Sequence, residues 1–359
     1  MFTSIHGEPK TLIVTVDSNC KTPGQKCYIT YDSLKSDWSS TIDRFMQQVI
    51  ANNATINYYD IFNEPDWTWS GISINQLLEL FKIAHDKIRS YEPDAKIIGL
   101  SLGQARQKFD LAVLDTFFGY ANDNNLIING VSWHELELSV PEYVSSHVAA
   151  LKSLSSYKLL CQRQGFCPEI HINEYAGPEY HLVPGWEVGW LYYFEKNKID
   201  KISKACWDDQ QGPRKWSGCW AGFDGLLMDD NINQQPIYWV HYSHVDMNGK
   251  MLETNFSDPR TVALASKDDL KQTIKLLVGR YGHDSNPLSD VNINIINYPY
   301  VKSTVQEKIY RIPNQGKNPS VLNDPIFVFD GIQKVTENKT IFIPISEFSD
   351  GDAYFIVIQ

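Results

Sequence analysis

The 359-residue chain has no run of about 18 apolar residues, the length a helix needs to cross a bilayer, so no membrane span is expected. It has no block of lysine and arginine, and its formal net charge is -11; a nucleic-acid partner is therefore not expected. None of its six cysteines stands in a CxxC pair, the usual mark of a structural zinc. Its first residues, MFTSIHG, lack the charged start and apolar stretch of a secretory leader. No glycine-rich loop follows the first apolar run, which counts against a dinucleotide site.

What is present is a globular composition, 43% hydrophobic and 21% charged. Aromatics make up 13%, with ten Trp and nineteen Tyr. Flat rings stack on the C–H faces of sugars, although most rings in a chain of this size serve the core. The cysteines fall as three neighbouring pairs, Cys20/Cys27, Cys161/Cys167 and Cys206/Cys219, a disulfide pattern of oxidising compartments. Three Asn-X-Ser/Thr triplets, at Asn53, Asn255 and Asn338, fit the same setting. An extracellular, lysosomal or other secretory-pathway location is the expectation. Cysteines of that kind and the lack of a leader are in tension, and a chain that begins partway through a longer protein is one resolution.

From residue 10 to 250, apolar strands alternate with amphipathic helices. Strands are expected at 11–16, 56–62, 96–101, 127–133, 169–173 and 201–207, with helices at 39–53, 74–91, 109–123, 141–160, 184–197 and 235–247. Successive strand–helix units mean parallel strands joined by right-handed crossovers. Polar residues gather at the strands' C-terminal ends: Asp17, Asn63-Glu64, Ser101, His134-Glu135, Asn173-Glu174 and Trp207-Asp208. In a closed barrel those ends share one mouth, where the chemistry is done. The expected architecture is thus a (β/α) barrel over residues 1–250. Beyond residue 251 short β-rich runs separated by turns imply an accessory β-sandwich over 251–359, interrupted by one helix at 266–278.

Two segments carry the chemistry. Residues 58–65, YYDIFNEP, end an apolar strand in Asn63-Glu64, and Pro65, having no N–H, stops the ladder there. Residues 169–176, EIHINEYA, end another strand in Asn173-Glu174. Two glutamates at the ends of two parallel barrel strands face one mouth. Glycoside hydrolysis uses such a pair, one carboxyl protonating the leaving oxygen while the other attacks the anomeric carbon or activates water. Trp67 and Trp69, on the loop after Glu64, stand where a sugar ring would stack. Tyr175 follows Glu174 and is a candidate contact to it or to the sugar, whereas His171 reads as structural. Asp208 and Asp209 are equally suited to sugar hydroxyls and to solvent.

The Asn63-Glu64-Pro65 motif after an apolar strand resembles that of clan A retaining glycoside hydrolases, (β/α)8-barrel enzymes. The resemblance implies that Glu64, ending the fourth strand, is the acid/base and Glu174, ending the seventh, the nucleophile. It implies that Asn63 bonds the sugar 2-hydroxyl, that His134 lies beside the nucleophile, and that Trp207 floors the sugar site. The 110-residue spacing of the two glutamates and the β-rich tail are similar to family 39, the xylosidase and iduronidase group. Strand 11–16 would then be the third, leaving strands one and two, and the substrate-binding Arg of strand two, without sequence here. The Cys206–Cys219 pair would stiffen the rim after strand eight. Double displacement on an oligosaccharide, polysaccharide or glycoside, without metal or organic cofactor, is the function expected. The alternatives are a carbohydrate-binding pseudoenzyme of the same ancestry, favoured by the missing strands, and an open-sheet α/β enzyme of other chemistry.

Overall fold

The structure, a computed structural model, describes residues 2–4, 14–15, 26–27, 30–69, 71–103, 109–136, 139–205, 226–228, 232–282, 288–316 and 319–359. The first unit holds β1 (Phe2–Ser4), β2 (Val14–Thr15), β3 (Lys26–Cys27), α1 (Tyr31–Ala51), β4 (Tyr58–Asp60), α2 (Pro65–Thr68) and α3 (Ile74–Tyr91). It continues with β5 (Ile97–Leu102), α4 (Leu111–Asp123), β6 (Gly130–Glu135), α5 (Tyr143–Ser153), α6 (Ser155–Gln164) and β7 (Glu169–Tyr175). The second takes in α7 (Pro184–Asn197), and residues 198–203, with most of β8 (Lys201–Lys204), return to the first. The rest of the second unit is α8 (Pro236–Asp246), β9 (Lys250–Met251), β10 (Thr261–Asp268), β11 (Thr273–Arg280), β12 (Leu288–Ile295), β13 (Thr304–Ile312), β14 (Ile326–Lys334), β15 (Ile341–Ser349) and β16 (Ala353–Ile358). It therefore includes two helices, α7 and α8, from the stretch that the sequence pattern assigns to the barrel.

The first unit is built on one sheet, in the order β1-β4-β5-β6-β7-β8. Each pair from β1 to β7 is parallel. The sheet is curled, and two side chains prove it. The Asn173 amide on β7 donates to Asp60 Oδ2 on β4 at 2.6 Å, yet three strand spacings in a flat sheet would hold them about 14 Å apart. Tyr58 and Glu169 meet in the same way, the phenol donating at 2.8 Å. The unit is thus a partial barrel.

Helices pack on the sheet for reasons legible in their sequences. Helix α3 opens with a capping box between Ser73 and Gln76 and buries Leu77, Leu80, Phe81, Ala84 and Ile88 along one face. Helix α1 opens likewise with Thr30 and Ser33 and buries Leu34, Trp38, Ile42, Met46 and Val49. A full burial of one such side chain stabilises by about 1.5–3 kcal/mol, so these faces outweigh intrinsic propensity.

Three expectations are corrected. The neighbour of β4 is β1, not the run at 11–16; Val14–Thr15 pairs with Lys26–Cys27 in a separate two-stranded sheet. A three-residue strand is too short to show a period, so β1 leaves no signal. The helix expected at 141–160 is two, α5 and α6, broken at Leu154, whose extended ψ of 132° cannot continue a helix. The helix expected at 266–278 is the β10–β11 hairpin, turning through residues 269–272 with Gln272 at φ 53°. Its charged turn, DDLKQ, mimics a helix start.

The second unit joins an antiparallel sheet, β14-β13-β16-β11-β10-β9, to the antiparallel pair β12-β15. Alternate residues of these strands, among them Ile274, Leu276, Val278, Ile309, Ile341, Ile343, Ile356 and Ile358, form its core.

Candidate active site

Four residues past the end of β4, Glu64 turns left-handed, at φ 47° and ψ 53°, and becomes the N-cap of α2, with Pro65 at the first helical position. The Glu64 N–H donates to Ser101 O at 2.8 Å, tying the end of β4 to that of β5. Ser101 is itself left-handed at φ 55°, as is Ala176, at φ 69°, just past β7. Non-glycine residues hold that conformation at a cost, and such strain gathers at working sites.

Two irregularities aim the side chains. The β5–β6 register passes from Leu100↔Ser132 to Leu102↔Trp133, leaving Ser101 as an extra residue. The β6–β7 register passes from Trp133↔Ile172 to His134↔Glu174, leaving Asn173 extra. Each bulge re-aims one polar residue, which is what bulges beside sites do.

Glu64, His134 and Glu174 converge. His134 Nδ1 lies 3.0 Å from Glu64 Oε1 and 3.7 Å from Glu174 Oε2, between the two carboxylates. The histidine is fully buried, while the glutamates keep 24% and 37% of their side-chain surface, so they face solvent and His134 stands behind them. One oxygen of each glutamate and a nitrogen of His134 lie within 4.8 Å of one another. That spacing is also within reach of a shared divalent cation; in this structure Nδ1 is hydrogen-bonded to Glu64.

Burial raises the pKa of Glu174; the His134 charge opposes this, and the charge of Glu64 adds to it. For His134, burial works against the proton, but the hydrogen bond to Glu64 and the charges of Glu174, Glu64 and Asp60 outweigh it, and the net direction is up. Asp60, wholly buried beneath the pair, is pushed up by that burial to about 7, although the His134 charge and the Ser132, Asn173 and Ser101 hydrogen bonds pull the other way.

Glu64 also depends on a glycine. A Cβ on Gly103 would lie 2.7 Å from the Cγ, Cδ and Oε1 of Glu64, and the Gly103 N–H donates to Asp66 at 2.9 Å. A second buried group lies alongside on β6: the Trp133 indole and the Ser139 hydroxyl donate to Glu135, and His147 Nδ1 is 2.7 Å from it.

Of the residues singled out from sequence, Glu64, Glu174 and His134 meet. Asn63 is half-buried beside Glu64, its carbonyl accepting from the Thr68 hydroxyl at 2.8 Å. Tyr175 is buried, 1% exposed, with next to no surface for a ligand. The backbone of Trp67 lies in α2; its side chain, with Trp207, Asp208, Asp209, Cys20, Cys206 and Cys219, falls outside the described residues. Trp69 packs edge-on against Trp38 and Phe62, at 5.3 and 5.2 Å, so it is partner to the core rather than free to stack on a sugar. His171 is buried with Nε2 2.9 Å from Glu169, the structural place expected for it. Cys161 and Cys167 form a disulfide. Sequence reasoning missed Asp60, Ser132 and the role of Gly103; a carboxylate inside an otherwise apolar strand was the available signal for the first.

No family model matches the chain, and no curated protein does. Solved structures do. The structure of N2152 from Neocallimastix frontalis is 24% identical with a TM-score of 0.72, over 90% of this chain and 75% of that one. A GH39 enzyme from Xanthomonas axonopodis pv. citri is 13% identical with a TM-score of 0.63, over 90% and 73%. A monomeric β-xylosidase from Caulobacter crescentus CB15 is 13% identical with a TM-score of 0.63, over 90% and 75%. These likenesses are to the fold, which the chain shares with proteins described as a GH39 enzyme and a β-xylosidase.

Proposed function

We propose that the chain is a retaining glycoside hydrolase working by double displacement, with Glu174 as nucleophile and Glu64 as acid/base. The observation that carries this reading is the closeness of two carboxylates at the ends of β4 and β7, with oxygens within 4.8 Å. Inverting enzymes keep their carboxyls about 6.5–9.5 Å apart to admit a water, whereas retaining ones bring them to about 5–5.5 Å. A separation within 4.8 Å falls on the retaining side of that divide.

In the first step Glu174 attacks the anomeric carbon as Glu64 gives its proton to the leaving oxygen. Glu64 then takes a proton from the water that releases the sugar. Glu174 must be ionised to attack, and burial opposes that. The His134 charge, 3.7 Å away, is what favours the ionised form. The same burial also supports the rival reading, a carbohydrate-binding protein with a neutral Glu174. Asn63 is proposed to bond the 2-hydroxyl, and Trp67 and Trp207 to stack on the sugar; Tyr175 would back Glu174 from within the barrel. Neighbours described as a GH39 enzyme and a β-xylosidase make xylosides the first substrates to try. The Cys161–Cys167 disulfide supports a secretory-pathway location.

Hydrolysis of an aryl β-xyloside followed by proton NMR tests the reading. The first-formed sugar should carry the β anomer, and Glu64→Gln should slow turnover by about 10²–10⁴-fold. An α anomer formed first would exclude double displacement. A folded protein that turns over none of a panel of aryl glycosides would favour the binding-only reading.

A further inference from the structure

Behind the two glutamates lies a chain of buried polar groups that the proposed reaction does not itself use. His134 Nε2, on the far side of the ring from Glu64, is 3.2 Å from Ser101 Oγ. Ser101 Oγ accepts from the Asn173 amide at 2.9 Å, and the same amide nitrogen donates to Asp60 at 2.6 Å. The Ser132 hydroxyl donates to Asp60 at 3.4 Å and accepts from the Ser101 N–H at 2.9 Å. Both bulged residues of the sheet, Ser101 and Asn173, are members, so two register defects are maintained to assemble this chain. A buried carboxylate that served packing alone would be replaceable by an apolar residue at little cost.

We propose that Asp60 is a positioning residue that acts through Ser101 on His134, deciding whether a charged or a neutral ring stands between Glu64 and Glu174. The role assigned to that ring rests on the glycosidase reading above; the hydrogen-bond argument does not.

The argument is one of hydrogen-bond direction. An ionised carboxylate only accepts. Facing it, Asn173 must present its amide nitrogen, whose two hydrogens go to Asp60 and Ser101. With Asp60 ionised, the Ser101 hydroxyl also turns its hydrogen toward Asp60, and Ser101 Oγ then accepts from His134 Nε2–H. With Nδ1–H held by Glu64, the ring carries both protons and is an imidazolium. When Asp60 is protonated the chain reverses. The carboxyl O–H donates to Ser101 Oγ, and the serine O–H donates to Nε2, which now accepts, leaving His134 neutral. One proton is shared between Asp60 and His134, so the two titrate as a unit. The charged groups facing His134 are Asp60 and Glu64 from the β4 segment and Glu174 from β7; Ser101 of β5 and Ser132 of β6 contribute hydroxyls only. A neutral amide at position 60 would mimic the protonated acid and fix the chain in the reversed sense.

The test is nitrogen NMR of the full chain labelled with ¹⁵N-histidine, comparing wild type, Asp60→Asn and Ser101→Ala, beside steady-state kinetics on an aryl xyloside. In wild type above about pH 7, where Asp60 is ionised, His134 Nε2 should give a protonated signal. In both variants it should move to the unprotonated position while Nδ1 stays protonated. With rates normalised to the folded fraction, since partial unfolding also lowers apparent kcat at constant KM, kcat should fall on the order of tenfold with KM little changed. If Asp60→Asn does not fold, Ser101→Ala, which leaves the carboxylate in place, decides alone. Unchanged nitrogen signals in the folded variants, or an unprotonated Nε2 in wild type at that pH, would overturn the proposal. Because the NMR needs no turnover, a wild type inert toward every glycoside would count against the glycosidase reading and leave this one to the nitrogen signals.

Discussion

Glu64 has a structural job while presenting its carboxylate: in a left-handed turn it begins α2, four residues past β4. Its side chain is held from one side by His134 and hemmed on the other by Gly103, where only a hydrogen fits. Gly103→Ala therefore acts on the carboxylate directly. A displacement of an ångström at such a group costs on the order of 10²-fold in rate. We expect kcat/KM to drop by that order, with the far-ultraviolet circular dichroism unchanged; a fully active variant would show that Glu64 does not need its present position. At this scale the sequence was informative where chemistry is local. Asn63, Glu64 and Glu174 stand at strand ends that a hydrophobic run makes visible, and His134 lies at a third. Asp60, Ser101 and Ser132 were invisible as a group, because what joins them is the curl of the sheet and two extra residues in its register, and neither leaves a mark in composition or spacing.

Among the elements, α3 at 74–91 and α7 at 184–197 were readable to the residue, whereas α1, expected from 39, begins at Tyr31. Short or charged elements were not readable: β1 has only three residues, and the β10–β11 turn carries the polar residues of a helix start. Two glycines in helices show how context sets the sign of one substitution. In α7, a Cβ on Gly185 would lie 2.0 Å from Arg280 O and 2.8 Å from Asp352 O, backbone atoms of the sandwich that cannot step aside. Gly185→Ala should destabilise the second unit by about 1–3 kcal/mol or more. In α4, nothing lies within 4 Å of a Cβ on Gly119, so Gly119→Ala should stabilise by about 0.5–1 kcal/mol through lost freedom of the unfolded chain. Urea titrations of both variants check the pair. Equal effects of one sign would contradict the packing assigned to α7.

Across the first unit, the buried charge beneath the glutamates ties stability to pH. Asp60 titrates at about 7 in the folded protein against about 3.9 when unfolded. Between those values the folded state holds more protons, so stability falls as pH rises through this window. His134, also raised when folded, shares that proton with Asp60, so the two titrate as one unit and their shifts are not counted twice. His85 and His171, lowered by burial, act oppositely, so the difference between wild type and Asp60→Asn is the informative quantity. Measured by denaturation, the variant should gain stability relative to wild type between about pH 4 and about pH 8. A constant difference would mean that Asp60 does not titrate as its burial requires.

The barrel itself was foreseen from the alternation of strands and helices, and the sandwich from the run of short strands after it. The grouping of α7 and α8 with the sandwich was not, since both follow barrel-like strands in the chain and only packing assigns them.

The central claim is that Glu174 forms a bond to sugar. Incubation with 2-deoxy-2-fluoro glycosyl fluorides, beginning with the xylosyl compound, followed by mass spectrometry of the digested protein, tests it most directly. The account predicts a stable adduct on the peptide that contains Glu174, lost in Glu174→Gln. An adduct on any other carboxylate, or none from a broad panel on a folded protein, would contradict it.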